Sequence, residues 1–404
     1  APAGLSGVVE IVSNGNAFVA MMNPVYAYGS KATESSLVFS LVGDMNLFSF
    51  YDYRASFDGS VVAARTQHEF AMSRNGGVNW DHHPSWTKPR GIGMSDDGSV
   101  IAVTLYGEKL KLSKDKGLTW SDVGSSGDYR AVAVSGDGNT IMYGGGNNKP
   151  VHLSKDGGDS WSDVHQHFTG SNANNFNELS FAMSYDGSVI FVCPYYYDKY
   201  GKMRLSTDGG TTWSEVGTSI EKSGWDPYTM LTQGVAMSSD GSTIMVSLSQ
   251  YNNAGPILIS TDQGATFTKS TLGDKTSWDY VSMSSDGSIM LATENVGTRP
   301  LHMSRDGGQT WSEHTDLGEV RGAVVSGDGK IVYVQAGAYS VNGNFNKGST
   351  VVSEVLDSSG DSKAITRSEC KDRTLSCAAG KEITVMDDFN DNTCTNCTAG
   401  KYKD

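Results

Sequence analysis

An aspartate, several hydroxyls and a tryptophan lie close together in Ser206-Thr207-Asp208-Gly209-Gly210-Thr211-Thr212-Trp213. A carboxylate beside hydroxyls could act as a general base, or lend oxygens to a divalent cation. Repetition tells against both. The pattern Ser-x-Asp/Asn-x-Gly-x-x-aromatic begins at Ser73, Ser113, Ser154, Ser206, Ser260 and Ser304. Its polar residue is Asn75, Asp115, Asp156, Asp208, Asp262 or Asp306, and its aromatic is Trp80, Trp120, Trp161, Trp213, Phe267 or Trp311. A catalytic group is needed once, whereas a folding unit is needed in every copy. One carboxylate per turn also falls short of the convergent oxygens that calcium requires.

Other chemistry-bearing residues are scattered. His82-His83 and His165-Gln166-His167 could bind a metal, but no carboxylate or cysteine stands at a spacing that would complete a site. No phosphate loop or nucleophile elbow is present, and no metal or cofactor is implied. Three tryptophans fall outside the repeated turns: Trp86, Trp225 and Trp278. Trp225-Asp226-Pro227-Tyr228 and Trp278-Asp279-Tyr280 look like related positions, and Tyr195-Tyr196-Tyr197 forms another aromatic stretch. These residues read either as an aromatic platform for a sugar or protein partner, or as wedges between structural units.

Cysteine usage divides the chain. Cys193 lies in the apolar run Val189–Cys193 and reads as a buried free thiol. Cys370, Cys377, Cys394 and Cys397 crowd a segment with little apolar support. Disulfides would give it shape; a zinc site is the other reading, weakened by the lack of a second close cysteine pair. Disulfides would imply an oxidising compartment.

The repeated turns are hairpin signals. Asp-Gly between apolar runs favours a tight turn, and the aspartate can accept backbone N–H groups. A second turn, Ser-x-Asp-Gly, interleaves with the first at Ser56, Ser95, Ser135, Ser184, Ser238, Ser284 and Ser326, with a degenerate copy at Ser13. Each unit reads as four short strands. In one, they are expected over Gly91–Ser95, Ser99–Tyr106, Lys109–Ser113 and Leu118–Val123. Four strands per unit, repeated, predict an all-β fold, a β-propeller of seven or eight blades with eight favoured. The expected propeller spans 1–365 and a cysteine-rich module spans 366–404. Forty-eight glycines suit such a turn-rich chain. The net charge of −14 argues against nucleic acid and anionic membrane partners, and no apolar run is long enough to insert into a membrane. The Ala-Pro-Ala start fits a mature secreted chain.

Six copies of the first turn resemble the Asp-box, or bacterial neuraminidase repeat. The tail, with Cys377-Ala-Ala-Gly-Lys and Cys397-Thr-Ala-Gly-Lys-Tyr, resembles the cysteine-rich repeats of ephrin-receptor-like extracellular proteins. The second resemblance implies a Cys377–Cys394 pair. The first implies that sialidases must be considered. Their Arg-Ile-Pro motif is absent, and Arg54, Arg65, Arg90, Arg130, Arg204, Arg299 and Arg321 fit none of the family's motifs. The chain is therefore expected not to be an enzyme. It reads as an extracellular or cell-surface structural protein, self-assembling or adhesive, with protein partners. A glycan- or protein-binding receptor is the alternative. In a propeller both repeated turns mark one face, so the irregular loops of the opposite face are the expected binding surface.

Overall fold

The computed structural model describes residues 50–66, 68–86, 88–146, 149–164, 179–194, 203–217, 230–250, 255–273, 276–295, 299–315 and 319–337. It also describes residue 167 and short paired stretches at 8–13, 18–22, 355–356, 362–363, 381–384 and 393–396. Ala1–Leu37 is a compact unit distinct from Val38–Asp404. The first holds one hairpin, Val8–Ser13 with Phe18–Met22. The second holds the propeller.

Among the described residues the second unit holds six successive blades, each an antiparallel sheet in sequence order. Their first strands, here called a, are Phe50–Ala55, Pro89–Met94, Ala131–Val134, Leu179–Met183, Met230–Met237 and Trp278–Met283. Strands b, c and d follow outward. In blade 2 one continuous stretch, Ile101–Ser113, pairs with strand a through its first half and with Ser121–Asp128 through its second. A two-stranded sheet, Glu319–Val325 with Val332–Gly337, follows blade 6.

Among the described residues six blades are thus present, rather than the seven or eight expected. Ring closure is visible at the Ser-x-Asp-Gly turns, which are stitched into a circle by backbone hydrogen bonds. Phe57 N donates to Asp96 O, Asp96 N to Gly136 O, and Asp137 N to Tyr185 O, at 2.6, 2.8 and 2.8 Å. Tyr185 N donates to Ser239 O, Ser239 N to Ser285 O and Ser285 N to Gly327 O, at 2.7, 2.7 and 2.8 Å. Asp328 N then returns to Phe57 O at 2.8 Å. The circle joins seven turns, six from the blades and one from the two-stranded sheet, which closes directly onto blade 1. Tyr333 strengthens that closure by donating its hydroxyl to Gly59 O at 2.7 Å. The degenerate copy at Ser13 belongs to the separate first unit.

The core lies between blades. Phe191, Cys193 and Leu205 of blade 4 pack on Ile244, Val246 and Leu258 of blade 5. Tyr53 and Val62 of blade 1 pack on Val324 and Tyr333 of the closing sheet. Cys193 is buried, as its apolar setting predicts. The cysteines of the 366–404 segment have side chains outside the described residues.

The c–d turns show why their sequence repeats. Ser206 Oγ donates to Asp208 Oδ1 at 2.8 Å and accepts from Gly210 N at 2.8 Å. Asp208 Oδ1 accepts Thr212 N at 2.8 Å, and Trp213 Nε1 donates to Gly210 O at 3.1 Å. Gly210 has φ 81°, and a Cβ there would lie 2.6 Å from Leu153 Cδ2 of the preceding blade. Glycine is therefore required both for the turn and for contact between blades. Ser206 is 1% exposed, so Ser206→Ala strands a buried N–H. It is expected to lower unfolding free energy by about 1–3 kcal/mol, measured by urea denaturation.

The same hydrogen bonds are expected to make the fold acid-sensitive. Thr119 hydroxyl and N–H donation hold the Asp115 carboxyl down at about 2. Thr212 acts likewise on Asp208, and Ser160 on Asp156. A carboxyl depressed on folding stabilises the protein above its unfolded value, near 3.9, and that contribution is lost as pH falls through the folded value. The melting temperature is therefore expected to fall progressively from about pH 4 toward about pH 2. A flat profile across that window, followed by circular dichroism, would contradict these carboxylate roles.

Candidate binding face

Strand a enters each blade from the d–a connection and ends at a Ser-x-Asp-Gly turn. Its first residues, together with the ends of strand b, therefore lie on the face opposite the repeated turns. A β-bulge recurs there. The pairing skips between Phe50 and Asp52, Pro89 and Gly91, Thr232 and Gly234, Trp278 and Val281, and Val320 and Gly322. Bulges re-aim a side chain at the end of a sheet. In blade 2 the extra residue is Arg90.

Around Arg90 the loop face of blades 1–3 gathers charge. Asp52 takes Arg54 Nη1 on Oδ1 at 2.6 Å and faces Arg65 Nε at 3.9 Å on Oδ2. It also accepts Ile92 N at 3.3 Å, and Arg65 Nη1 donates to Pro89 O at 3.2 Å, so this pair ties blade 1 to blade 2. Asp128 does the same for blades 2 and 3. Arg90 Nε lies 3.6 Å from its Oδ1, and Arg130 Nη2 lies 3.1 Å from its Oδ2. The Lys88 ammonium and the Arg90 guanidinium both sit 5.1 Å from the Tyr106 ring centre, within cation–π range. Tyr106 is 46% exposed. The cluster thus sets Arg54, Arg65, Lys88, Arg90 and Arg130 against Asp52 and Asp128. At the neighbouring hairpin tip, exposed Glu108 and Lys109 offset each other.

An aromatic layer supports this patch from within. Tyr129 lies between Asp128 and Arg130 in sequence and meets Tyr143 edge-on at 4.9 Å, and Tyr143 meets His152 at 4.8 Å. Burial, then the neighbouring Tyr129, pushes the Tyr143 hydroxyl up to about 12. Lys88 has φ 54°, and Tyr106 N donates to its carbonyl at 3.1 Å, which fixes the entry to blade 2.

The expected aromatic residues are placed differently from one another. Trp86 stacks on His83 at 4.4 Å and Phe70 at 5.3 Å, and meets Trp120 edge-on at 4.8 Å. It is a wedge rather than part of an open platform. Trp278 is 1% exposed and lies 5.2 Å from the His302 ring, again as packing. Nearby, His302 Nε2 meets Glu294 Oε1 at 2.8 Å, and Thr276 Oγ1 donates to Oε2 at 2.9 Å. Tyr280 is half-buried, and its N–H donates to Thr293 Oγ1 at 3.2 Å. Trp225, Tyr228, Tyr195, Tyr196 and Tyr197 lie outside the described residues. No group of three or more potential metal ligands occurs among the described residues.

The cationic cluster escaped the sequence reading because its arginines match no motif. A signal was nevertheless present: Arg90, Arg130 and Arg321 each stand five residues before the serine of a Ser-x-Asp-Gly turn.

Residues 108–256 match the family model described as sortilin, neurotensin receptor 3 (Sortilin-Vps10). No curated protein matches the chain. Solved structures share its fold. The GH74 enzyme of Niastella koreensis is 16% identical, with a TM-score of 0.56 over 73% of this chain and 52% of its own. The GH74 xyloglucanase of Xanthomonas campestris is 13% identical, with a TM-score of 0.56 over 79% of this chain and 54% of its own. YCF48 bound to D1 peptide is 12% identical, with a TM-score of 0.52 over 81% of this chain and 98% of its own. The chain spans about half the length of the two GH74 enzymes it matches. At these identities the likeness is one of fold. It overturns the expectation that the chain is not an enzyme. Glycoside hydrolases carry this fold, so a missing sialidase motif does not exclude catalysis. No helix among the described residues is long and apolar enough to cross a membrane.

Proposed function

We propose that the protein is an interaction propeller whose loop face, over blades 1–3, takes an acidic segment or surface of a protein partner. The observation that carries this is the cationic cluster about Tyr106, on a chain whose net charge is −14. An excess of cations maintained against that background attracts carboxylates and steers their approach. Two cations beside one exposed tyrosine offer a partner both charge and an aromatic anchor. The YCF48 structure, a propeller of similar fold holding a peptide, supports the reading. The role extends to an extracellular, self-assembling or adhesive protein. Its Asp-box turns would build the disc, and the 366–404 segment would form a disulfide-stapled, ephrin-receptor-like module. Trp225, Tyr228 and Tyr195–Tyr197 would widen the same face.

Fluorescence anisotropy with a labelled Asp- and Glu-rich peptide, set against a Lys-rich peptide of equal length, tests the reading. The acidic peptide is expected to bind, more weakly as salt rises, and the basic one not to bind. Equal affinity for both, or none for the acidic peptide, would contradict it.

A further inference from the structure

The two faces of the ring differ in charge. The circle of Ser-x-Asp-Gly turns carries Asp58, Asp96, Asp97, Asp137, Asp186, Asp240, Asp286 and Asp328 with Lys330, and the c–d turns on the same face add Asp115, Asp156, Asp159, Asp208, Asp262 and Asp306 against Arg74, Lys114, Lys116, Lys155 and Arg305. The hydrogen-bonded belt that joins these turns fixes the carboxylates in one circle. At Asp58, Asp97, Asp186 and Asp240 the internal hydrogen bonds end on Oδ1, which leaves Oδ2 for other donors. Phe57 and Tyr185 stand on this circle 46% and 50% exposed. Among the described residues the large exposed apolar side chains are those two, Leu118 on a c–d turn, and Tyr106 in the cationic cluster. Both charged faces therefore carry an uncovered aromatic ring, the residue type that most often anchors a protein interface.

We infer that the partner of the loop-face cluster is the acidic turn face of a second copy of this chain, so that copies associate head to tail. The inference rests on the proposed function and names its partner. Because the two contacting faces differ, the contact is heterologous. It leaves one cationic and one acidic face open in every complex, and growth continues as a ring or a filament. Opposed charge orients the approach, and the aromatic residues supply the apolar part of the contact.

Two variants of the full chain test this by sedimentation velocity at low and high salt. Lys88→Glu with Arg90→Glu makes the loop face acidic. Asp96→Lys with Ser239→Lys and Ser285→Lys reduces the acidity of the turn face. It alters the second position of three of the seven turns and spares the aspartates that hold the turns. Wild-type protein is expected to form larger species as concentration rises, and these should dissociate in high salt. Each variant alone is expected to remain monomeric, whereas an equimolar mixture of the two should associate. If the turn-face variant associates as wild type does, the turn face is not the partner and the inference fails. If wild-type protein is monomeric at every concentration, the inference also fails. In that case, retained binding of the acidic peptide by wild type, with loss in the loop-face variant, would leave the proposed function standing. Unchanged peptide binding by the loop-face variant would remove that function as well.

Discussion

Reversing Lys88 and Arg90 to glutamate together is expected to weaken binding of an acidic peptide by about 10- to 100-fold, or ~1.4–2.8 kcal/mol. The size follows from where these cations sit. Both flank the exposed Tyr106 ring at 5.1 Å, so reversal removes two attractive charges and places two repulsive ones on the same anchor. Arg90 also lies 3.6 Å from Asp128, and a glutamate there would add like-charge repulsion within the cluster. The neutral pair Lys88→Gln with Arg90→Gln should fall between wild type and reversal. Because both side chains are at the surface, the loss should appear chiefly as slower association and a flatter salt dependence. Anisotropy titrations at several salt concentrations give both quantities. If affinity is unchanged while the melting temperature stays native, the cluster is not the binding surface.

The second large effect is one of stability. Gly146→Ala is expected to cost roughly 2–5 kcal/mol, combining backbone strain with overpacking. Gly146 has φ 128°, and a Cβ there would sit 1.7 Å from the carbonyl oxygen of Asp128. No side-chain rotation relieves a clash with backbone, so the chain must move at Asp128, the residue that joins Arg90 to Arg130. Urea denaturation should show the loss of stability, and the surviving folded fraction should bind the acidic peptide less tightly. Gly107 is the contrasting control. A Cβ there meets nothing within 4 Å, so Gly107→Ala carries only the strain of its φ of 75°.

Much of the fold was legible in the sequence because a propeller writes the same local chemistry into each unit. The serine, aspartate and glycine of a turn are fixed by hydrogen bonds within a few residues, so they could be read without tertiary information. Ser206, Asp208 and Gly210 do what their types and spacing imply. Blade number was not legible, because it depends on which turns meet at closure. The hydrogen bond from Asp328 N to Phe57 O joins residues far apart in the chain, and no local pattern announces it. Strand limits in blade 2 slipped for a related reason. Gly107 and Glu108 read as the connection between two strands, yet they lie within one continuous strand in which Glu108 pairs with Gly127 of Ser121–Asp128.

The candidate face was less legible. Tryptophan draws attention as a binding residue, but Trp86 and Trp278 are large apolar side chains that the spaces between blades also require. Arg90 and Arg130 looked featureless along the chain. They become a site only when Asp128 and the bulge in strand a bring them to one carboxylate. That convergence is tertiary, and the only trace of it in the sequence is their shared distance from the next turn. The enzyme expectation failed because it rested on the absence of one family's motif.

Hydrogen–deuterium exchange of the full chain with saturating acidic peptide tests the central claim most directly. Binding on the loop face of blades 1–3 should slow exchange in the backbone amides of 88–92, 104–109 and 127–131, and give no protection to the Ser-x-Asp-Gly turns. Protection confined to those turns, or spread evenly over all blades, would contradict it.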